Sequence, residues 1–267
     1  MNTVISKDGT SIAFDQKGTG PALILVGGAT QYRAIDPRTE TIAELLSPNF
    51  TVIHYDRRGR GDSGDTLPYA TSREVEDIEA LIDHAGGLAL VYGMSSGAIL
   101  SLDAAAALGT KIQKLALYEP PFIVDDTRSP IPTDYVQQLK DMLAAGKTDD
   151  AIELFMLEPV GIPLEYVEHM KNDPFWQALR GIAPTLVYDG MVTDGLMLGK
   201  PLPANRWAAV TQPTIVVDGG ASQPFMHHGA NALADLLPDV QRRTIEDQDH
   251  DVAPELLVPV IEEFFSA

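Results

Sequence analysis

The sequence contains no cysteine. That absence excludes disulfide bonds, thiol nucleophiles and thiolate metal ligands together, and it fits a reducing compartment. Basic residues are scarce as well, with 19 lysines and arginines against 38 aspartates and glutamates and a net charge of −19. A surface of this charge repels phosphate backbones, so we expect no nucleic-acid partner.

Long apolar runs are also missing. The longest ones are the length of a strand, so the sequence predicts no membrane-spanning helix and no membrane partner. The first residues, MNTVISKDGTSIAF, lack the basic and apolar regions of a secretory signal. We therefore expect a cytoplasmic protein, while the sequence leaves the oligomeric state open.

Apolar residues make up 45% of the 267 residues and are spread along the whole chain, which is enough for one large core. Short apolar runs that end at Gly or Pro alternate with stretches of helical periodicity. The predicted strands are 3–6, 11–15, 22–28, 51–56, 88–93, 114–120, 213–220 and 241–245, and the predicted helices between them are 37–46, 71–84, 96–108, 229–237 and 254–265. This alternation predicts an α/β fold with a mostly parallel central sheet and helices on both faces.

One segment interrupts the alternation. Residues 122–208 contain no buried strand pattern, only helical stretches at 134–145, 148–157, 163–170 and 174–181. We therefore predict a core formed by residues 1–121 and 209–267, with residues 122–208 inserted as a helical cap.

The segment Gly93-Met94-Ser95-Ser96-Gly97 joins a predicted buried strand to an Ala-rich helix. It matches G-x-S-x-G, in which a sharp turn projects the serine and the two glycines let strand and helix pack closely. The helix N-terminus behind the turn favours developing negative charge. This context predicts that Ser95 is a nucleophile.

With two further motifs, the chain resembles the α/β-hydrolase superfamily, in particular its capped, esterase-like members, over nearly its full length. Residues 27–29, GGA, follow an early strand where the family often has His-Gly, and residues 56–63, DRRGRGDS, are similar to the family's D-x-R-G-x-G-x-S loop. The resemblance implies a catalytic histidine in a loop before the last helix. Of the six histidines, only His250 lies in such a loop. We expect it to take the Ser95 proton and return it to the leaving group.

The acid of the triad is less well defined by the sequence. Many members of the superfamily carry it in a G-x-x-D turn after the strand at 213–220, but here the turn reads Gly-Gly-Ala-Ser and Ser222 stands in its place. Glu119 ends the strand that follows the nucleophile helix, and some members of the fold place the acid there. Glu119 is therefore the predicted acid; Asp218, or no carboxylate at all, are the alternatives.

The resemblance also implies an oxyanion hole of two backbone N–H groups. One belongs to Ser96, directly after the nucleophile, and the other to Ala29, with Gly28 as an alternative. Residues 59–64 match the dinucleotide fingerprint G-x-G-x-x-G, but no helix pattern opens there and Asp62 would face the pyrophosphate. We therefore expect no nucleotide, and the chemistry needs no metal or other cofactor.

Apolar residues of the cap and of the neighbouring motifs are candidates for a substrate pocket. We predict as pocket residues Met94, Phe122, Phe155, Trp176 and Met226. The alternative is that most of the cap residues form the cap's own core. His227 and His228, which follow the strand at 213–220, are further candidates for the pocket wall.

Together these features predict a serine hydrolase that cleaves a small to medium, apolar carboxylic ester through an acyl-enzyme. A lactonase, thioesterase, C–C bond hydrolase or acyltransferase would use the same machinery. A hydrolase-like ligand-binding protein with vestigial catalysis is another alternative, because no carboxylate stands at position 222.

Overall fold

The computed structural model describes all 267 residues and contains one sheet of eight strands. The strands are β1 (Asn2–Ile5), β2 (Ser11–Lys17), β3 (Ala22–Val26), β4 (Thr51–Tyr55), β5 (Ala89–Met94), β6 (Ile112–Tyr118), β7 (Thr214–Gly219) and β8 (Val240–Ile245). Their order across the sheet is β1-β2-β4-β3-β5-β6-β7-β8. β2 pairs antiparallel with both β1 and β4, and the pairs from β4-β3 to β7-β8 are all parallel. The predicted α/β fold is therefore confirmed.

Ten α-helices surround and cap the sheet. They are α1 (Pro37–Leu46), α2 (Thr71–His84), α3 (Ser96–Leu108), α4 (Tyr135–Ala144), α5 (Thr148–Phe155), α6 (Leu164–Met170), α7 (Pro174–Ile182), α8 (Leu186–Val192), α9 (Pro224–Leu236) and α10 (Pro254–Ser266). None of them is long and apolar enough to cross a membrane.

The central strands are apolar on both sides because helices cover both faces of the sheet. The apolar faces of α2, α3 and α9 pack with one side of the strands in a cluster of 30 buried residues. Helices α1 and α10 pack on the other side in a cluster of 21. All six residues of β5 are buried, so the strand that leads into Ser95 is held from both sides.

Between β6 and β7 the chain forms only helical elements, α4 to α8 and short turns between them. These helices have a core of their own, a cluster of 18 buried residues. The end of the segment returns to the sheet, where Trp207 packs in the large cluster and donates its indole N–H to Asp103 at 2.8 Å.

Two helix predictions need correction. Helix α8 was not predicted, because LVYDGMV is short, contains Gly190 and is buried on most sides, so it lacks an amphipathic pattern. Helix α9 begins at Pro224 and not at Gly229. The signal for the true start is the proline itself, which is favoured at the first position of a helix.

Candidate active site

The turn that carries Ser95 is strained, and its flanking glycines are required by contact. Ser95 has φ 55° and ψ −126°. A Cβ on Gly93 would lie 2.6 Å from the Gly97 carbonyl oxygen, and a Cβ on Gly97 would lie 2.6 Å from the Gly27 carbonyl oxygen. Only residues without a Cβ allow β5, α3 and the loop after β3 to approach this closely. The serine is thereby presented at the carboxyl edge of the sheet.

Strained backbone is concentrated around this edge. Only four residues other than glycine have a positive φ: Thr30, Ser95, Glu119 and Asp247. They lie in four separate segments, namely the loop after β3, the elbow, the end of β6 and the loop after β8. Each such residue stores strain on the order of 1–3 kcal/mol, and such residues cluster at active sites. The four segments therefore point to one functional site.

Glu119 and His250 meet at this edge although 131 residues separate them. The His250 Nδ1 atom lies 2.8 Å from the Glu119 Oε2 atom. The other carboxylate oxygen accepts a hydrogen bond from the Gly219 N–H at 2.8 Å and one from the Ser222 hydroxyl. The Glu119 side chain is fully buried, whereas that of His250 is 39% exposed. Glu119 is therefore held in one orientation and can fix the tautomer of the histidine.

Ser95 and His250 line the same cavity, but no hydrogen bond joins Ser95 Oγ to the imidazole in this structure. In unliganded hydrolytic sites this contact is often long and shortens when substrate binds. The loop that carries His250 is tied to the sheet by the Tyr118 hydroxyl, which donates to the Asp249 carbonyl at 2.5 Å. This contact fixes the backbone next to His250 at the wall of the cavity that Ser95 also lines.

Asp218, the alternative acid, does not contact His250. It is fully buried and binds Arg242 at 2.8 Å, Thr244 at 2.7 Å and His227 at 2.7 Å. Burial alone would raise the pKa of this carboxyl, but the hydrogen bonds from Arg242 and His227 outweigh it and lower the pKa. Asp218 is therefore the anion of a structural ion pair with Arg242 of β8.

The two predicted oxyanion donors, the Ala29 and Ser96 N–H groups, both lie at the cavity, and neither donates to another protein atom. The Gly28 N–H is already taken, since it donates to the Gln31 side-chain oxygen. The geometry therefore favours Ala29 over the Gly28 alternative.

Comparison with known proteins shows the family of the chain. A model of the alpha/beta hydrolase family matches residues 23–259. The chain belongs to the alpha/beta hydrolase family.

Solved structures extend the comparison. An alpha/beta hydrolase from Sphaerobacter thermophilus is 50% identical to this chain, with a TM-score of 0.89 over 99% of this chain and 100% of that one. An enol-lactonase from Burkholderia xenovorans has the same fold, with 17% identity and a TM-score of 0.71 over 100% of both chains. Among curated proteins, an uncharacterized hydrolase of Bacillus subtilis is 28% identical over 123 residues. That match spans 45% of this chain and 44% of the relative, which is less than half of its length.

The cavity of this hydrolase has a volume of about 670 Å³ and lies between the sheet edge and the helices of residues 122–208. Of the predicted pocket residues, Met94, Phe155 and Met226 line it. Further apolar side chains line it that the prediction did not select: Met156, Ile162, Met170, Phe175 and Met197 from residues 122–208, and Phe225 from α9.

Four predicted pocket residues do not line the cavity of the hydrolase. Trp176 is buried in the cap's core and donates its indole N–H to Asp149 at 2.9 Å, because α5 and α7 pack against each other there. Phe122 is buried against Trp207 in the sheet's core. His227 and His228 lie on α9 and point elsewhere, to Asp218 and Asp125 respectively.

The G-x-G-x-x-G match at residues 59–64 does not lead into a helix, since the next helix, α2, begins only at Thr71. A dinucleotide site of this type would need a helix N-terminus there. The three arginines of the loop at residues 56–63, Arg57, Arg58 and Arg60, are almost completely buried. No group of three or more histidine or acidic side chains in the structure has the arrangement of a metal site. These arginines were not predicted as functional candidates, although three of them in a short loop next to a buried strand are a signal in the sequence.

Proposed function

We propose that this hydrolase is a serine esterase that cleaves small to medium carboxylic esters with Ser95, His250 and Glu119. One observation carries the proposal: the 2.8 Å contact of His250 Nδ1 with the buried Glu119 carboxylate, at a cavity that Ser95 lines. A histidine held in this way presents Nε2 as a base to a neighbouring hydroxyl.

In the proposed reaction, Ser95 Oγ attacks the ester carbonyl while His250 Nε2 takes its proton. The carbonyl electron pair moves to oxygen, and the Ala29 and Ser96 N–H groups stabilise the resulting anion. Collapse of the tetrahedral intermediate breaks the bond to the alcohol, which leaves with the proton from His250. Water then attacks the acyl-enzyme, with His250 again as the base, and the carboxylic acid is released.

The charges of the cavity favour an uncharged substrate. Arg38 is the one arginine or lysine that lines it, and its guanidinium is paired with Asp251 at 2.6 Å. Three aspartates line the cavity as well: Asp251 is the partner of Arg38, Asp189 is paired with two buried arginines, and Asp249 has no basic partner. The wall formed by residues 122–208 is mostly apolar. A cavity of about 670 Å³ is within the range of about 300–1,000 Å³ that small-molecule pockets occupy. These features support an apolar acyl group of modest length.

The alternatives differ in how much supports them. The case for a vestigial, ligand-binding protein depended on the missing carboxylate at position 222. Glu119 lies beside His250 and is hydrogen-bonded to Ser222, so this reason loses its force. Lactones, thioesters and C–C bonds next to a carbonyl remain substrates that the same groups could attack.

The test is labelling with a fluorophosphonate probe, followed by hydrolysis of p-nitrophenyl esters of graded acyl length. We expect the wild-type protein to be labelled and to prefer one acyl length, and Ser95→Ala to be inert in both assays. Addition of an alcohol acceptor separates hydrolysis from acyl transfer. A wild-type protein that is neither labelled nor active on any ester would contradict the proposal.

We also propose a cytoplasmic location and the absence of nucleic-acid or membrane partners, on the charge and composition described above. Fractionation of cells that express the protein tests the location.

A further inference from the structure

A buried network of charges contacts the Ser96 side chain and the Gly28 carbonyl, next to the two proposed oxyanion donors. Asp189, on cap helix α8, accepts hydrogen bonds from Arg57 Nη1 at 2.8 Å, from Ser96 Oγ at 2.9 Å and from Arg60 Nη2. Glu74 on α2 binds Arg57 through two hydrogen bonds, at 2.6 and 2.7 Å. All five side chains are almost completely buried. The network therefore joins the cap to the core at the one place where the nucleophile turn and the loop after β3 meet.

The charge of Arg57 would be neutralised even without Asp189. Glu74 already gives Arg57 a bidentate partner, and the pKa of Glu74 lies below its ordinary value although burial alone would raise it, because the charge and hydrogen bonds of Arg57 outweigh that burial. Buried ion pairs are seldom more stabilising than apolar residues of the same size. What Asp189 adds is its contact with Arg60 and Ser96, each of which reaches a proposed oxyanion donor.

Arg60 acts on the first donor through a peptide group. Its Nη1 donates to the Gly28 carbonyl oxygen at 2.8 Å. This carbonyl and the Ala29 N–H belong to the same planar trans peptide, so they point in opposite directions. Holding the carbonyl toward the buried guanidinium therefore holds the Ala29 N–H toward the cavity. The positive charge on the carbonyl side also polarises the amide and strengthens its N–H as a donor.

Ser96 carries the second donor. Its hydroxyl is bound to Asp189, and Arg57 Nη1 lies 3.3 Å from the same oxygen. The side chain of this residue is thus anchored to the buried network, while its N–H donates to no other protein atom. Both donors are therefore held by groups that bind the Asp189 carboxylate.

We propose that Asp189 is a positioning residue that orients both oxyanion-hole donors from the cap, through Arg60 for Ala29 and directly for Ser96. The inference rests on the proposed serine esterase function. It assigns the cap a part in catalysis besides substrate binding, since correct packing of α8 is needed to complete the oxyanion hole.

The main test compares Arg60→Met with Arg58→Met. Arg58 is the matched control: it comes from the same loop, is equally buried and binds two carboxylates, Asp77 and Asp8, but touches neither oxyanion donor. With p-nitrophenyl butyrate we expect Arg60→Met to lower kcat by about 10²-fold, near the loss for removal of one oxyanion donor, with KM within about twofold. Arg58→Met should lower the melting temperature and leave kcat within about threefold in its folded state. Arg60→Lys, which can still donate to the Gly28 carbonyl, should recover part of the loss.

A milder pair covers the case in which the arginine variants do not fold. Ser96→Ala removes the hydroxyl bound to Asp189, whereas Ser101→Ala removes an equally buried hydroxyl one turn further along α3, bound to the Gly97 carbonyl at 2.7 Å. We expect Ser96→Ala to lower kcat about tenfold and Ser101→Ala to change it less than twofold. The affinity for butylboronic acid, which forms a tetrahedral adduct on the serine, should fall with kcat, while the affinity for butyrate stays constant.

Asp189→Asn completes the series. It should lower kcat at least as much as Arg60→Met does. The double variant Arg60→Met with Asp189→Asn should have a kcat no lower than that of the slower single variant, because the effects of residues that act as one unit are not additive. If the wild-type protein is labelled and active but Arg60→Met, Ser96→Ala and Asp189→Asn keep its kcat, the positioning role is wrong and the esterase proposal stands. If the wild-type protein is not labelled and not active, both fail.

Discussion

The change Glu119→Gln tests the proposed triad at its least common position. Glutamine has the same shape as glutamate, so the fully buried side chain should keep its place. What changes is the hydrogen-bond pattern. One carboxylate oxygen accepts from the Gly219 N–H and the Ser222 hydroxyl, and the other lies 2.8 Å from His250 Nδ1.

A glutamine amide can satisfy only one of these two sides. If its oxygen faces Gly219 and Ser222, its NH₂ faces His250 and donates to Nδ1. The imidazole proton then moves to Nε2, the nitrogen that should accept the Ser95 proton. The reverse orientation sets the NH₂ against the buried Gly219 N–H, which costs about 1–3 kcal/mol for an unsatisfied buried donor. The inactive orientation should therefore dominate.

The expected magnitude follows from this reasoning. A triad held in the wrong tautomer loses on the order of 10³–10⁴ in kcat, and we expect a loss in this range with little change in melting temperature. The assay is hydrolysis of p-nitrophenyl butyrate, with thermal unfolding measured on the same samples. Adding Ser222→Asp should return part of the activity, because the Ser222 side chain already reaches the Glu119 carboxylate.

Asp218→Asn is the matched control. Asp218 is an equally buried carboxylate at the end of the adjacent strand and also binds a histidine, but that histidine is His227. This variant should lose stability, because Arg242 loses its anion, and should keep most of its activity. The reasoning would be refuted if Glu119→Gln kept more than about a third of kcat/KM, or if Asp218→Asn were the inactive variant of the two.

Three further predictions concern the nucleophile, the pocket and the cap. Ser95→Ala and His250→Ala should each abolish ester hydrolysis with the fold intact by circular dichroism, and the double variant should be no worse than either, since a triad acts as a unit; multiplied losses would contradict this. Phe155→Ala should change the ratio of the rates on octanoyl and acetyl esters, by about 0.8 kcal/mol for each methylene that Phe155 contacts. Trp176 does not line the cavity, so Trp176→Ala should lower the stability of the fold and leave this ratio unchanged. Equal ratios in both variants would disprove the pocket assignment. Hydrogen bonds from Arg180 and Trp176 lower the Asp149 pKa to about 2, so Asp149 stabilises the fold above the unfolded pKa near 3.9 and loses this effect as pH falls through about 2. The melting-temperature difference between wild type and Asp149→Asn should be constant from about pH 7 to 5 and shrink below about pH 4; a difference that grows toward acid pH would be incompatible with this sign.

Local patterns in the sequence were sufficient to predict the sheet and the elbow. The buried strands, their glycine ends and the amphipathic helices depend on side chains within a few residues of one another, so periodicity reports them directly. The elbow motif is also local, since Gly93, Ser95 and Gly97 lie within five residues, although the close approach that Gly97 allows is to Gly27 of a distant segment. Glu119 became a candidate because it ends the strand after the nucleophile helix, a place where some members of the superfamily that the chain resembles carry the acid.

The tertiary structure decided which candidates meet. Met94 and Phe155 line the cavity, while Phe122 and Trp176 lie in protein cores, and all four are apolar and buried. An apolar pattern predicts that a side chain is buried but not whether it is buried against a cavity or against a protein core. No local pattern therefore separates the two pocket residues from the two core residues. Helix α8, with a weak pattern of its own, was likewise found only in the fold.

The same reason applies to charge. Sequence composition shows 38 acidic residues but not which of them are buried. Asp189 lies 132 residues from Arg57 along the chain, and their 2.8 Å contact exists only because α8 packs down on the loop after β4. A charge can be buried only where its partners converge, and convergence of distant segments is a property of the whole fold.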